Sequence, residues 1–301
     1  MTDVSFPLVL LTPIADTNRR WVGIHVTGPG ARDLAALQQL FGEWGLAQAI
    51  AGLVCVLPEA VVGELAALLG DACVLQSEPL DDGVVVLAAT QPAPCGPGST
   101  VLLKLLGQLT SDADTRQIEN TLKKDPQLSV QLLRLVNSVA FAPTARIGSL
   151  AQAINLLGRR QLQRWLQLLM FANKKSAGQN NPLLAQAALR AALMENLSKT
   201  TPTEGVSQDE AFMVGMFSLL DKLFGQPLET ILAPLLLTDQ VSSAVLHHSG
   251  RLGGLLALTE AAETGADSVA AALAALNIDA VDWAKAQIAA LQWALKVSED
   301  A

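Results

Sequence analysis

The 301-residue chain has no tyrosine, 4% aromatic residues, three histidines and three cysteines. Cys55, Cys73 and Cys95 are odd in number and include no Cys-x-x-Cys pair, which argues against a disulfide framework and against a cysteine zinc site. The expectation is reduced thiols and a cytoplasmic protein. Basic residues are scarce at the start: residues 1–98 hold Arg19, Arg20 and Arg32 against ten acidic residues, a net charge of −7, and the rest of the chain is at −1. A binder of the phosphate backbone gains affinity by releasing counterions with clustered Lys and Arg, so this balance disfavours nucleic acid. No run of 18 apolar residues occurs, so no membrane span and no membrane partner are expected. The opening MTDVSFPLVLLTPIADTNRR carries Asp3 where a signal peptide wants positive charge, and Pro7 and Pro13 break its apolar run, so export is not expected.

What is abundant is Ala and Leu, within a chain that is 50% hydrophobic. Such a chain fills its core with small and branched side chains, as packed helices do. The stretch QPAPCGPGST, residues 91–100, holds three prolines and two glycines and can continue neither helix nor sheet. It divides the chain into 1–90, a linker at 91–99, and 100–301. Before it, PLVLLTPI and RRWVGIHVT read as strands around a polar turn, ARDLAALQQLFGEWGL as one helix, GLVCVL as a strand, PEAVVGELAALLG as a helix, and ACVLQ and GVVVLAA as strands. After it, the helical period predicts helices over 100–109, 114–123, 126–140, 149–157, 159–173, 182–200, 207–224, 227–234, 239–248, 252–263, 267–276 and 280–297, with Gly158 as a stop and Ser149 and Asp239 as caps. The fold class is α+β: a small N-terminal α/β module followed by a large all-α bundle.

The segment LKKDPQLSVQLLRLVNSVAF, residues 122–141, starts a well-defined helix. Asp125 can accept backbone N–H bonds as the cap, and Pro126 fits the first turn, where its missing N–H costs nothing. Leu128, Leu132, Leu135, Val136 and Val139 form an apolar stripe. Asn137 and Ser138 fall near its end, where an amide can satisfy loose backbone groups of a neighbouring loop, a structural role preferred over ligand binding.

These residues, with IGSLAQAINLLGRRQLQRWLQLLMFAN, resemble the core of the HDOD domain, a degenerate all-helical relative of HD and HD-GYP phosphohydrolases. FMVGMFSLLDKLFGQPLETILAPLLLTDQV and LGGLLALTEAAE resemble bacterial EAL-HDOD signalling proteins. LLTPIADTNRRWVGIHV resembles the opening strand pair of EAL cyclic-di-GMP phosphodiesterases, with His25 where that family has its metal-binding glutamate. A (β/α)₈ barrel needs roughly 200 or more residues, so 1–90 would be a truncated, degenerate remnant. The resemblance also puts Ser218 and Leu219 where an HD hydrolase has its His-Asp metal pair. Hydrolysis there needs imidazole and carboxylate on a divalent ion, so no catalytic residue and no metal or other cofactor are expected.

Other candidates have plainer readings. His247 and His248 are neighbours about 100° apart on a helix, poorly placed to share an ion, and suit a helix end closed by Gly250. Asp81-Asp82-Gly83 reads as a turn between strands, and GRLGG at 250–254 as a turn between helices. GPGAR at 28–32 lacks the spacing and the Lys of a P-loop. Arg159, Arg160 and Arg164 beside Trp165 form a basic face suited to an anionic ligand or an acidic partner helix, or to solvent. The function implied is a non-catalytic signalling scaffold acting on an unidentified signalling protein. The alternative is a degenerate phosphodiesterase that binds a cyclic dinucleotide with little or no turnover. A nucleic-acid regulator using Arg159, Arg160, Arg164, Lys174 and Lys175 is opposed by the overall charge.

Overall fold

The structure is a computed structural model that describes residues 6–17, 21–50, 52–80, 84–86, 99–111, 113–122, 128, 132, 136, 150–172, 182–200, 206–224, 226–233, 237–265 and 268–299. Asp125, Pro126, Leu135, Asn137, Ser138, Val139 and Ser149, the Asp81–Gly83 turn, Cys95, Lys174 and Lys175 lie outside the described residues. The architecture is α+β. The chain forms two compact units, one of residues 1–92, 176–219 and 240–301, the other of 93–175 and 220–239. The first cut falls in the Pro/Gly-rich stretch, whereas the other cuts have no counterpart in the linear division at 1–90 and 100–301.

The larger unit contains β1 (Leu10–Ala15), β2 (Trp21–Thr27), α1 (Leu34–Gln38), α2 (Leu46–Ala49), β3 (Val54–Leu57), α3 (Glu59–Leu69), β4 (Val74–Ser77) and β5 (Val85–Val86). The sheet order is β4-β3-β2-β1-β5, with β2, β3 and β4 parallel and β1 antiparallel to both its neighbours. The single helix expected over ARDLAALQQLFGEWGL is instead interrupted. Asp33 Oδ1 accepts the N–H groups of Ala35 and Ala36, which starts α1 only at Leu34, and residues 39–43 then widen into a π-helical turn before α2.

Cys55 and Cys73 are free thiols, Cys55 on β3 and Cys73 just before β4. The Cys55 thiol donates to Cys73 and is buried, which raises its own pKa well above the usual thiol value and lowers that of Cys73. In a Cys95→Ser background, iodoacetamide should therefore modify Cys73 with a midpoint below the ordinary thiol value of about 8.5. Removing the donor with Cys55→Ala should move that midpoint upward. An unchanged profile, read by mass spectrometry across pH, would show that no such donor acts.

Among the described residues this unit also holds α7 (Pro182–Thr200), α8 (Gln208–Phe217), α12 (Gly250–Thr264), α13 (Val269–Leu276) and α14 (Ala280–Glu299), with residues 240–247 of α11 (Asp239–His247) leading into the last three. Ala284, Ile288 and Leu291 of α14 share one buried cluster with Ile24, Val26, Leu37, Phe41 and Cys55 of the N-terminal part, although the linear reading assigns α14 to the other domain. Polar groups reinforce this. The wholly buried Trp283 donates its indole N–H to Val9 O at 3.0 Å. Gln287 accepts from Leu11 N and donates to Val9 O, both at 2.9 Å, so its amide satisfies the edge of β1 as a neighbouring strand would.

The second unit holds α4 (Ser99–Thr110), α5 (Thr115–Leu122), α6 (Leu150–Ala172), α9 (Leu220–Phe224) and α10 (Leu228–Leu232). Leu102, Leu105, Ile118, Ile154 and Leu162 are buried, as are Leu128, Leu132 and Val136 of the expected apolar stripe. Gly158 breaks α6 with φ 75°, a left-handed conformation that glycine adopts at no steric cost, where the sequence places a helix stop.

Three further expectations differ from the structure. The helix read over 207–224 is two helices, because Ser218 Oγ bonds back to Gly215 O and its N–H to Val214 O, closing α8. Asp239 is the first residue of α11 rather than its cap. GRLGG is not a turn: Gly250 opens α12, so the turn lies at His248, with φ 51°, and Ser249.

Candidate functional site

A polar cluster in the larger unit grows from α7. Its run PLLAQAALRAALM carries one charge, Arg190, and its buried alanines 187, 188, 191 and 192 leave room for close neighbours. Gly215 of α8 uses that room. A Cβ there would lie 2.7 Å from Ala191 Cα, so only glycine lets the two backbones meet at this distance. The approach brings Ser218, at the end of α8, against Arg190.

Arg190 is 5% exposed and engages charged partners on two sides. Its Nε and Nη2 form a two-pronged pair with Glu263 of α12 at 2.5 and 2.7 Å, the fork geometry that guanidinium and carboxylate share. Its Nη1 donates to Ser218 Oγ at 2.8 Å and to Glu260 Oε1 at 3.0 Å. Gln186, one turn before Arg190, donates to Glu263 Oε2 at 2.7 Å, and His248 Nε2 lies 2.8 Å from Glu260 Oε2. His248 thus joins the hydrogen-bonded cluster from the turn before α12, while His247 is exposed. Leu219, which follows Ser218, is an apolar side chain with no exposure.

A partly open cavity of about 50 Å³ adjoins the cluster, between β1 (Leu10 to Pro13), α7, α12 and α14. Gln186, Arg190, Thr259 and Glu263 form its polar end, and Leu189, Leu193 and Leu291 part of its apolar wall.

The residues singled out in the sequence lie elsewhere. Arg159 turns Nη2 to the carbonyl of Ala113, Arg160 is exposed, and Arg164 and Trp165 are half-buried, so the three arginines do not present one uniform solvent face. His25 pairs with Glu78, Nε2 to Oε1 at 2.8 Å. Among the described residues no group of three or more His, Cys, Asp or Glu is placed to hold a metal ion. No described helix is long and apolar enough to cross a membrane. Sequence reading missed Arg190, Glu260 and Glu263. The available signal was one arginine in a thirteen-residue, otherwise uncharged run with Gln186 four residues before it, and two glutamates three apart on a later helix.

Comparison with known proteins agrees with part of this picture. Residues 99–228 match the HDOD domain, so the chain carries an HDOD domain over that stretch, from α4 into the start of α10. The uncharacterized protein YuxH of Bacillus subtilis (strain 168) is 30% identical over 165 residues, which cover 54% of this chain and 40% of that protein. Cyclic di-GMP phosphodiesterase CdgJ of Vibrio cholerae serotype O1 (strain El Tor Inaba N16961) is 31% identical over 152 residues, 50% of this chain and 35% of that protein. The chain thus spans less than half the length of these two relatives. Among solved structures, a phosphohydrolase-type protein from Shewanella amazonensis SB2B is similar over 67% of this chain and 95% of its own, at 16% identity and a TM-score of 0.42.

Proposed function

We propose that this chain is a non-catalytic, cytoplasmic signal-transduction scaffold that acts through contact with another protein. One observation carries the reading. At the two positions where the resemblance puts a metal-binding His-Asp pair, the Ser218 hydroxyl is held between Gly215 O and Arg190, and Leu219 is buried hydrocarbon. Neither can supply the imidazole and carboxylate that activate water on a divalent ion. The likeness of residues 1–90 to a truncated EAL module, with His25 in place of the glutamate, supports the same conclusion.

The test is direct. Purified protein incubated with Mn²⁺ should retain no stoichiometric Mn, Fe or Zn by elemental analysis, and should turn over neither bis(p-nitrophenyl) phosphate nor cyclic di-GMP. One tightly held ion per chain together with turnover would overturn the proposal. Arg160, the exposed member of the three arginines, is the one to test as a partner contact: Arg160→Glu should leave the fold intact and weaken capture of the partner in a salt-sensitive way. An unchanged partner set would move the contact off α6.

The name of the Vibrio relative favours a second reading, in which the chain binds a cyclic dinucleotide without turnover. Calorimetry against cyclic di-GMP separates the two, with heat of binding and no hydrolysis favouring this alternative. The cavity beside Arg190 is far smaller than the roughly 300 Å³ at which pockets for drug-sized ligands begin, so such a nucleotide would need a different surface.

A further inference from the structure

We infer that Cys55 and Cys73 are a peroxide-sensitive pair that closes into a reversible disulfide between two neighbouring strands of the sheet. The inference is independent of the scaffold reading and rests on strand register. β3 and β4 run parallel, with Cys55 opposite Leu75. Side chains alternate along a strand, and Cys73 stands two residues before Leu75 in an extended conformation, φ −151° and ψ 141°, so it shares the face of Cys55. The packing agrees. Cys55 belongs to the buried apolar cluster, and Cys73 and Leu75 both pack against that cluster, where the Cys55 thiol donates to the Cys73 sulfur. Diagonal neighbours in a sheet have Cα atoms roughly 7–8 Å apart, and a disulfide tolerates up to about 6.8 Å, so closure needs the start of β4 to shift by about 1–2 Å. That segment is placed to give way. Cys73 precedes β4, the outermost strand, on which Val74, Gln76 and Ser77 are exposed, and it follows a turn in which Gly70 and Ala72 are exposed.

Unequal access sets the order of the chemistry. Cys55 has no exposure and Cys73 is half-buried, so an oxidant arriving from solvent meets Cys73. The hydrogen bond from Cys55 also favours the Cys73 thiolate, which is the nucleophilic form. The co-reactant is hydrogen peroxide. The Cys73 thiolate attacks one peroxide oxygen: the S–O bond forms, the O–O bond breaks, sulfur is oxidised to the sulfenic acid, and the departing hydroxide recovers the proton that Cys73 gave up. The Cys55 sulfur then displaces the hydroxyl group. The S–S bond forms as the S–O bond breaks, and the second hydroxide leaves with the Cys55 proton as water. Two thiols and one peroxide thus give one disulfide and two waters, and a dithiol reductant reverses the change. The link encloses α3 in a covalent loop and ties the outermost strand to β3.

The test oxidises the full, folded chain with two equivalents of hydrogen peroxide, blocks free thiols with N-ethylmaleimide and maps the products by mass spectrometry without reduction. Cleavage after Glu59 and Glu64 separates Cys55 from Cys73. The expected product joins these two fragments in most chains, both in the parent and in Cys95→Ser, and dithiothreitol removes the link. A Cys73 sulfinic acid beside a free Cys55, a disulfide that uses Cys95 instead, a covalent dimer, or two thiols left unreacted would each overturn the assignment. Trapping with dimedone supplies a second readout. In Cys55→Ala no thiol resolves the sulfenic acid, so dimedone labelling of Cys73 should rise at least tenfold over the parent; equal labelling of the two folded chains would count against the pair. The cross-link on the unaltered chain decides the matter even where Cys55→Ala fails to fold.

Discussion

Arg190→Ala should destabilise the larger unit by about 3–5 kcal/mol, because it leaves Glu263, with a side chain 19% exposed, and Glu260 without the cation that both face. Urea titration followed by circular dichroism measures it as a lower midpoint at unchanged slope. The double change Arg190→Met with Glu263→Leu provides the control. Removing both partners of a buried pair is often close to neutral, so the double variant should recover most of the loss. A single variant within about 0.5 kcal/mol of the parent would mean that the cluster is solvated in solution.

A loss of similar size, about 3–5 kcal/mol, is expected for Trp283→Ala, for a different reason. The indole is the largest fully buried side chain, and deleting it leaves a cavity at the junction of α14 and β1. Trp283→Phe separates volume from hydrogen bonding. It keeps most of the ring and removes the donor to Val9 O, which Gln287 still serves, so its cost should stay near about 1 kcal/mol. If alanine and phenylalanine cost the same, the hydrogen bond rather than the packing would dominate.

Much of the fold was legible from local signals. The helical period over 182–200 and 280–297 and the glycine at 158 each act within a few residues of chain, and each corresponds to a feature in the structure. The break at Ser218 was not legible, since nothing in FMVGMFSLLDK marks a stop; the hydroxyl ends α8 by bonding back to Gly215 while Arg190, on another helix, holds it from outside. The candidate site was hidden for the same reason. Arg190 meets Glu263 across 73 residues and Ser218 across 28, and a single sequence records no such pairing. Arg159, Arg160 and Arg164 stand out in the sequence because adjacent charges are conspicuous, yet one of them is turned to the backbone of Ala113.

The clasp of Trp283 and Gln287 on Val9 also sets an order of events during synthesis. The indole and its carbonyl partner are 274 residues apart. At a ribosomal rate of ~5–20 residues per second, β1 emerges roughly 15–55 s before the helix that closes over it. For that interval the strand's outer edge and the apolar side chains along it, Val9 and Leu11, have no cover from α14, and unpaired apolar strand edges are where nascent chains associate wrongly. Residues 93–175 of the second unit are complete well before then. A chaperone requirement, if one is measured for this chain, should therefore track the N-terminal strands and disappear once residue 287 has left the ribosome.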